Sequence, residues 1–231
     1  AFEERLGLAE PHGARADPAC RERQIPRLAD RPEADDGADR CDGVVAMAAR
    51  EFVEDAALVF TEGAIALRPG APSRMGETAH LMATLRERFA RVLELGAGHV
   101  DGGDVLTTRD EVMIGLSART DLEGAQALAQ LLAAFGRKAR FVETPPGVLH
   151  FKSDCALIDD ETVLATPRLA ASGAFAGLRV ILTPRGEEGA ANALRVNDAL
   201  LVGAPYRRTI DILARAGYAV SAVGVEHIAR I

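Results

Sequence analysis

From about residue 52 onward this chain repeats one pattern, and that repeat restricts its fold more than any other feature. Two short apolar runs joined by a turn, a helical stretch and a third apolar run recur roughly every 40–50 residues. The first round reads as strands over 56–60 and 64–67 around Thr61-Glu-Gly63, a helix over about 74–90 and a strand over 92–95. The second reads as strands over 104–108 and 112–116, a helix from Asp121 and a strand over 139–143. Thr120-x-x-Glu123 has the form of a capping box for that helix, with Leu122, Ala125, Leu128, Ala129 and Leu132 on its buried side. A third round covers 156–158, 162–165 and 180–182 with a weak helix at most. The fourth has strands over 193–196 and 199–202, a helix over 206–216 ended by Gly217, and a strand over 219–222.

Polar landmarks keep the same register. Asp55, Asp104, Asp154 and Asn192 each precede a first strand, and Arg74, Arg119 and Arg208 each sit where a hairpin meets its helix. A ββαβ unit in such register implies a radial α/β arrangement rather than an open doubly wound sheet. Strand starts then converge near an axis, and polar residues from different units face one cavity. Four units are legible, and residues 1–51 have the length of a fifth. That segment is rich in Arg, Asp, Pro and Ala, with Asp42–Ala46 its one candidate strand, so it is expected to be an atypical or disordered segment beside a folded domain over 52–231.

Composition removes whole classes of function. Apolar residues make up 48% and charged residues 26%, the balance of a soluble globular chain. No apolar run approaches the roughly 18 residues of a spanning helix, so no membrane partner is expected. A net charge of −7 argues against non-specific nucleic-acid binding. Cys20, Cys41 and Cys155 are too scattered for a disulfide framework or a thiolate metal site, and no leader opens the chain, which points to the cytoplasm. Val92-Leu-Glu-Leu-Gly-Ala-Gly98 has the look of a methyltransferase nucleotide-binding turn. Such a turn needs a third glycine and then a helix, whereas this string runs on through His99 into another turn and strand.

Six pieces agree with one another: Phe52-Val-Glu-Asp55, Arg68-Pro-Gly-Ala-Pro-Ser-Arg74, Asp101-Gly-Gly-Asp-Val105, Ile114-Gly-Leu-Ser-Ala-Arg-Thr120, Leu149-His-Phe-Lys-Ser153 and Ala190-Ala-Asn-Ala193. In this order they resemble the dimethylarginine dimethylaminohydrolase family of the pentein superfamily. The resemblance implies a five-bladed α/β propeller whose first blade is defective here. It implies hydrolysis of an N-methylated arginine to citrulline and a methylamine, through a covalent thiouronium on a cysteine. His150 matches the family's catalytic histidine and Asp101 the carboxylate that orients it. Glu54 and Asp55 match the clamp on the guanidinium, Arg74 and Arg119 match the arginines that hold the α-carboxylate, and Ile231 matches a residue lining the pocket. No cofactor or metal is implied. The partner is a small molecule, methylated arginine, and a homodimer is allowed. Taken singly, an Asp before a strand caps a turn and an Arg at a helix start is a solvated charge; their joint order sets these residues apart. His12, His80, His99 and His227 match no motif and read as surface residues, and Cys155 matches a position that is not the nucleophile.

Two departures stand out. The family's nucleophile lies in Asp-Gly-x-x-x-Cys after a Lys/Arg-Ile, and this chain stops at Ala229-Arg-Ile231, so as given it is expected to be inactive. Ala49 stands where the family has an aspartate, as a frameshift that regains register near Phe52 or a lineage-specific arm would produce. Arginine deiminases and amidinotransferases share the chemistry, and a non-catalytic arginine-binding module is the alternative from another class.

Overall fold

Each of the four repeats folds into its own small sheet. The computed structural model describes residues 53–74 and 76–225; the segment 1–51, the candidate strand at 42–46, His12, Cys20, Cys41, His227 and Ile231 lie outside the described residues. The first unit is β1 (Ala57–Phe60), β2 (Gly63–Ala66), α1 (Glu77–Arg88) and β3 (Val92–Glu94). The second is β4 (Val105–Thr107), β5 (Val112–Leu116), α2 (Leu122–Ala134) and β6 (Ala139–Glu143). The third is β7 (Cys155–Leu157), β8 (Thr162–Ala165), α3 (Pro167–Ala170) and β9 (Arg179–Leu182). The fourth is β10 (Leu194–Val196), β11 (Ala199–Gly203), α4 (Arg207–Arg215) and β12 (Ala219–Val223). In every unit the first two strands pair antiparallel and the third joins the second in parallel, with the helix as the crossover.

The middle strands explain why these runs are apolar without alternation. Successive strand side chains point to opposite faces, so a strand sandwiched on both faces must be apolar throughout. On β5, Val112 and Ile114 enter a core shared with Phe60, Ile65 and Leu67 of the first unit, while Met113 faces a core shared with Val163 and Leu169 of the third. On β8, Val163 and Ala165 face back to the second unit and Leu164 faces Leu200 and Leu213 of the fourth. Each sheet is thus glued to the next in sequence order.

Local chemistry corrects several expected boundaries. Helix α1 begins at Glu77 rather than 74, because Pro72–Arg74 forms a separate 3-10 turn whose arginine is committed elsewhere. The cap of α2 is Asp121, whose Oδ1 accepts the Gly124 N–H at 2.6 Å. Thr120, expected as the cap, instead donates its hydroxyl to Asp104 at 2.7 Å. Leu122, expected on the buried side, is 52% exposed because it is the first residue after that cap. His99, expected at the surface, is half-buried; its carbonyl accepts the Asp121 N–H at 3.1 Å. The third unit's helix is the four-residue α3, capped by Thr166 and opened by Pro167. No helix among the described residues is long and apolar enough to cross a membrane.

Candidate functional site

The site is built from the same position in three successive units, the 3-10 turn just before the first strand. Asp55 ends the turn Val53–Asp55 before β1, Asp101 precedes Gly102–Asp104 before β4, and His150 precedes Phe151–Ser153 before β7. The repeat brings these turns together: one carboxylate oxygen from Asp55, one from Asp101 and a ring nitrogen of His150 all lie within 4.8 Å of one another. Asp55 and Asp101 are 3% and 1% exposed, so both charges sit where water screens them poorly.

The glycines between them make this approach possible. A Cβ on Gly102 would lie 1.8 Å from the Glu54 carbonyl oxygen. One on Gly103 would lie 2.9 Å from Asp55 Oδ1 and 3.0 Å from His150 Cγ. With no side chain in the way, the Gly103 N–H donates to Asp55 Oδ1 at 2.6 Å.

Asp55 Oδ2 accepts from Arg74 Nη1 at 2.5 Å, and Arg74 also reaches Glu77 through Nε at 2.9 Å and Nη2 at 2.7 Å. Those Glu77 bonds, with the charge of Asp55, push the guanidinium pKa further above its already high value despite burial. Arg74 is therefore tied to two carboxylates. Arg119, at the β5–α2 corner, is half-buried, and its side chain has no hydrogen-bond or ion-pair partner among the described residues. Glu54 turns outward to Lys152 Nζ at 2.8 Å and is not gathered with Asp55. Adjacent residues of one turn point different ways, which separates these two expected members of the clamp.

Asp101 Oδ1 accepts the Gly70 N–H at 2.6 Å, and its Oδ2 lies 3.8 Å from His150 Nε2, beyond hydrogen-bond range. Burial pushes its carboxyl above the usual range; the Gly70 N–H offsets part of this, while the charges of Asp55 and Asp104 add to it. For His150 burial works against the imidazolium, yet Asp104, Asp55 and Asp101 together outweigh it and raise the pKa above the usual value. These neighbours favour the cationic, proton-donating form of His150 more than water does for a free histidine.

The group missed in the sequence reading as a partner of His150 is Asp104, whose Oδ2 lies 3.5 Å from Nδ1. The available signal was its place among the pre-strand aspartates. Cys155 is the free thiol among the described residues; it is 1% exposed, donates to the Phe151 carbonyl at 3.3 Å, and burial pushes its thiol pKa far up. It is a packed side chain, unsuited to act as a thiolate.

Four ββαβ sheets in sequence order, with acids and a histidine at their converging turns, define an α/β fold of the pentein class. The family model described as arginine deiminase matches residues 52–197. The dimethylarginine dimethylaminohydrolase of Pseudomonas aeruginosa is 34% identical over 182 residues, covering 78% of this chain and 71% of that protein. The enzyme of the same name from Streptomyces coelicolor is 35% identical over 170 residues, covering 72% and 64%. A solved structure of a mutant of the Pseudomonas enzyme complexed with citrulline superposes with a TM-score of 0.75 at 35% identity, over 78% of this chain and 71% of that one. The N-terminal domain of a cyanobacterial arginine dihydrolase shares the fold, with a TM-score of 0.67 at 21% identity and coverage of 75% and 68%. Within the pentein class, this chain belongs to the dimethylarginine dimethylaminohydrolase family.

Proposed function

We propose that the protein hydrolyses an N-methylated arginine to citrulline and a methylamine. The observation that carries this reading is the convergence of Asp55, Asp101 and His150 within 4.8 Å, two buried carboxylates beside one imidazole. A planar organic cation placed there would satisfy both acids at once, and the solved relative's complex with citrulline, the neutral product such a hydrolysis would leave, supports a ligand derived from arginine. Asp55 faces the guanidinium, held by the Gly103 N–H and Arg74. Arg119, its guanidinium uncommitted among the described residues, takes the α-carboxylate; Arg74 contributes through Asp55 and whatever share of its charge the substrate recruits.

The nucleophile in this reading is the cysteine thiolate of the family's Asp-Gly-x-x-x-Cys segment. Its sulfur attacks the guanidinium carbon, His150 gives a proton to the departing amine, and the C–N bond breaks to leave the thiouronium. Neutral His150 then takes a proton from water, whose oxygen bonds to the same carbon as the C–S bond breaks. The oxygen stays in citrulline. A thiolate nucleophile of this kind fits a reducing cytoplasm.

Calorimetric titration of the 231-residue chain with dimethylarginine tests the reading apart from turnover. Binding weakened by both Asp55→Asn and Arg119→Ala is expected. No binding to a folded chain, or binding indifferent to both substitutions, would overturn it.

A further inference from the structure

We propose that Thr120 is a positioning residue for substrate binding: its hydroxyl takes the place at Asp104 that the neighbouring Arg119 would otherwise fill, and so keeps that guanidinium free for the substrate's carboxylate. This rests on the reading of Arg119 as the carboxylate-binding arginine. Each unit carries an arginine at the corner where its hairpin meets its helix, and three of the four are bonded to an acid. Arg74 holds Asp55 at 2.5 Å, Arg168 reaches Asp154 through Nη2 at 2.6 Å, and Arg208 Nε meets Glu187 at 3.2 Å. Arg119 is the corner arginine whose side chain has no partner among the described residues.

The second and third units differ at one informative position. In each, an acid stands at the end of the 3-10 turn (Asp104, Asp154), a hydroxyl follows the second strand (Ser117, Thr166), and the arginine comes two residues later. Ser117 donates to Asp104 at 2.6 Å and Thr166 to Asp154 at 2.7 Å. The residue after Arg168 is Leu169, which is buried in the core, and Asp154 takes Arg168 through both Nε and Nη2. The residue after Arg119 is Thr120, 1% exposed, whose hydroxyl donates to Asp104 Oδ2 at 2.7 Å. Thr120 Oγ1 accepts the Asp101 N–H at 3.2 Å, which leaves its own hydrogen for Asp104.

Asp104 is thereby filled. Two hydroxyls share Oδ2 and the Phe151 N–H takes Oδ1 at 2.8 Å, so no edge is left for a forked guanidinium. The corner is also held against the site. A Cβ on Gly70 would lie 2.4 Å from the Arg119 carbonyl oxygen, and the Gly70 N–H donates to Asp101. Without the Thr120 hydroxyl, buried Asp104 would recruit the adjacent guanidinium, as Asp154 does in the third unit.

The test compares Thr120→Val and Thr120→Ser in the 231-residue chain. Calorimetric titrations use dimethylarginine and its decarboxylated counterpart, which keeps the guanidinium but offers Arg119 nothing to hold. Thr120→Val is expected to lower the affinity for dimethylarginine relative to the decarboxylated ligand about tenfold or more, as loss of a charged hydrogen bond does, and Thr120→Ser to restore it. A weakening shared equally by both ligands, as a disturbed Asp101 would give, overturns the proposal, and so does an unchanged preference in folded Thr120→Val. Phenylglyoxal, which condenses with uncommitted guanidinium groups, reads the same point without ligand. Peptide mass spectrometry should show Arg119 modified more slowly in Thr120→Val than in wild type or Thr120→Ser; equal rates overturn the proposal. If the wild type binds neither ligand, the enzyme reading falls, while the modification rates still decide the role of Thr120.

Discussion

Replacing Arg74 by methionine removes the one cation shared by two buried acids. Its guanidinium lies 2.5 Å from Asp55 and 2.7 Å from Glu77, and the three side chains are 9%, 4% and 11% exposed. Methionine keeps the length and apolar bulk of the stem while stranding both carboxylates. Removing one partner of a buried pair costs about 3–5 kcal/mol, because the remaining charge has lost its hydration and its counter-charge. Asp55 keeps the Gly103 N–H, so the loss should not exceed that range. At about 2–4 °C per kcal/mol for a chain of this size, Tm should fall by about 6–20 °C. Circular-dichroism melts of the 231-residue chain at pH 7 measure it. Glu77→Leu in the same background removes one stranded carboxylate and should recover at least about 1 kcal/mol, a coupling expected of residues in contact. A Tm within about 2 °C of wild type, or strictly additive substitutions, would refute the claim that this trio behaves as a desolvated unit.

Other perturbations separate the remaining parts of the account. Burial disfavours the Asp154 carboxylate, but hydrogen bonds from Arg168 and Thr166 outweigh it and hold its pKa below the usual 3.8. Its contribution is therefore fully present above that value and lost as pH falls through the lower, folded one. Asp154→Asn should be less stable than wild type at pH 7, and urea titrations should show the gap closing as pH falls further below 3.8; a gap that does not change with pH would contradict this. Gly103→Ala places a methyl 2.9 Å from Asp55 Oδ1 and 3.0 Å from His150 Cγ, so it should cost about 1–3 kcal/mol of stability and weaken dimethylarginine binding. Gly96→Ala, with open space around its Cβ, should do neither; equal effects would remove the packing argument.

Much of the fold was legible because its middle strands are apolar on both faces. The expected runs over 112–116 and 162–165 match the middle strands β5 and β8 residue for residue, and the run over 139–143 matches the edge strand β6. Helix starts were less legible, since two residues compete for one cap. Thr120 and Asp121 are both good caps, and only the tertiary demand of Asp104 for a hydroxyl assigns the cap to Asp121. Of the site, Asp55 stood out in the register of pre-strand acids, whereas Asp101 and His150, which precede the turns of the next two units, were legible through the family resemblance. Which oxygen meets which nitrogen was not, because the partners of Asp104 come from 13, 16 and 46 residues away. Nor could spacing tell that Glu54 turns out to Lys152 while its neighbour Asp55 turns in.

The central claim, that these turns form the guanidine-cleaving half of a hydrolase site, is tested most directly by turnover. The chain would be extended beyond Ile231 with the family's Asp-Gly-x-x-x-Cys segment, and citrulline release from dimethylarginine measured for it and for its Asp55→Asn form. The extended chain should release citrulline, and Asp55→Asn should lower kcat/KM by roughly 30- to several-thousand-fold, the kinetic equivalent of about 2–5 kcal/mol. A folded extended chain that releases no citrulline, or an Asp55→Asn form as active as its parent, would contradict the account.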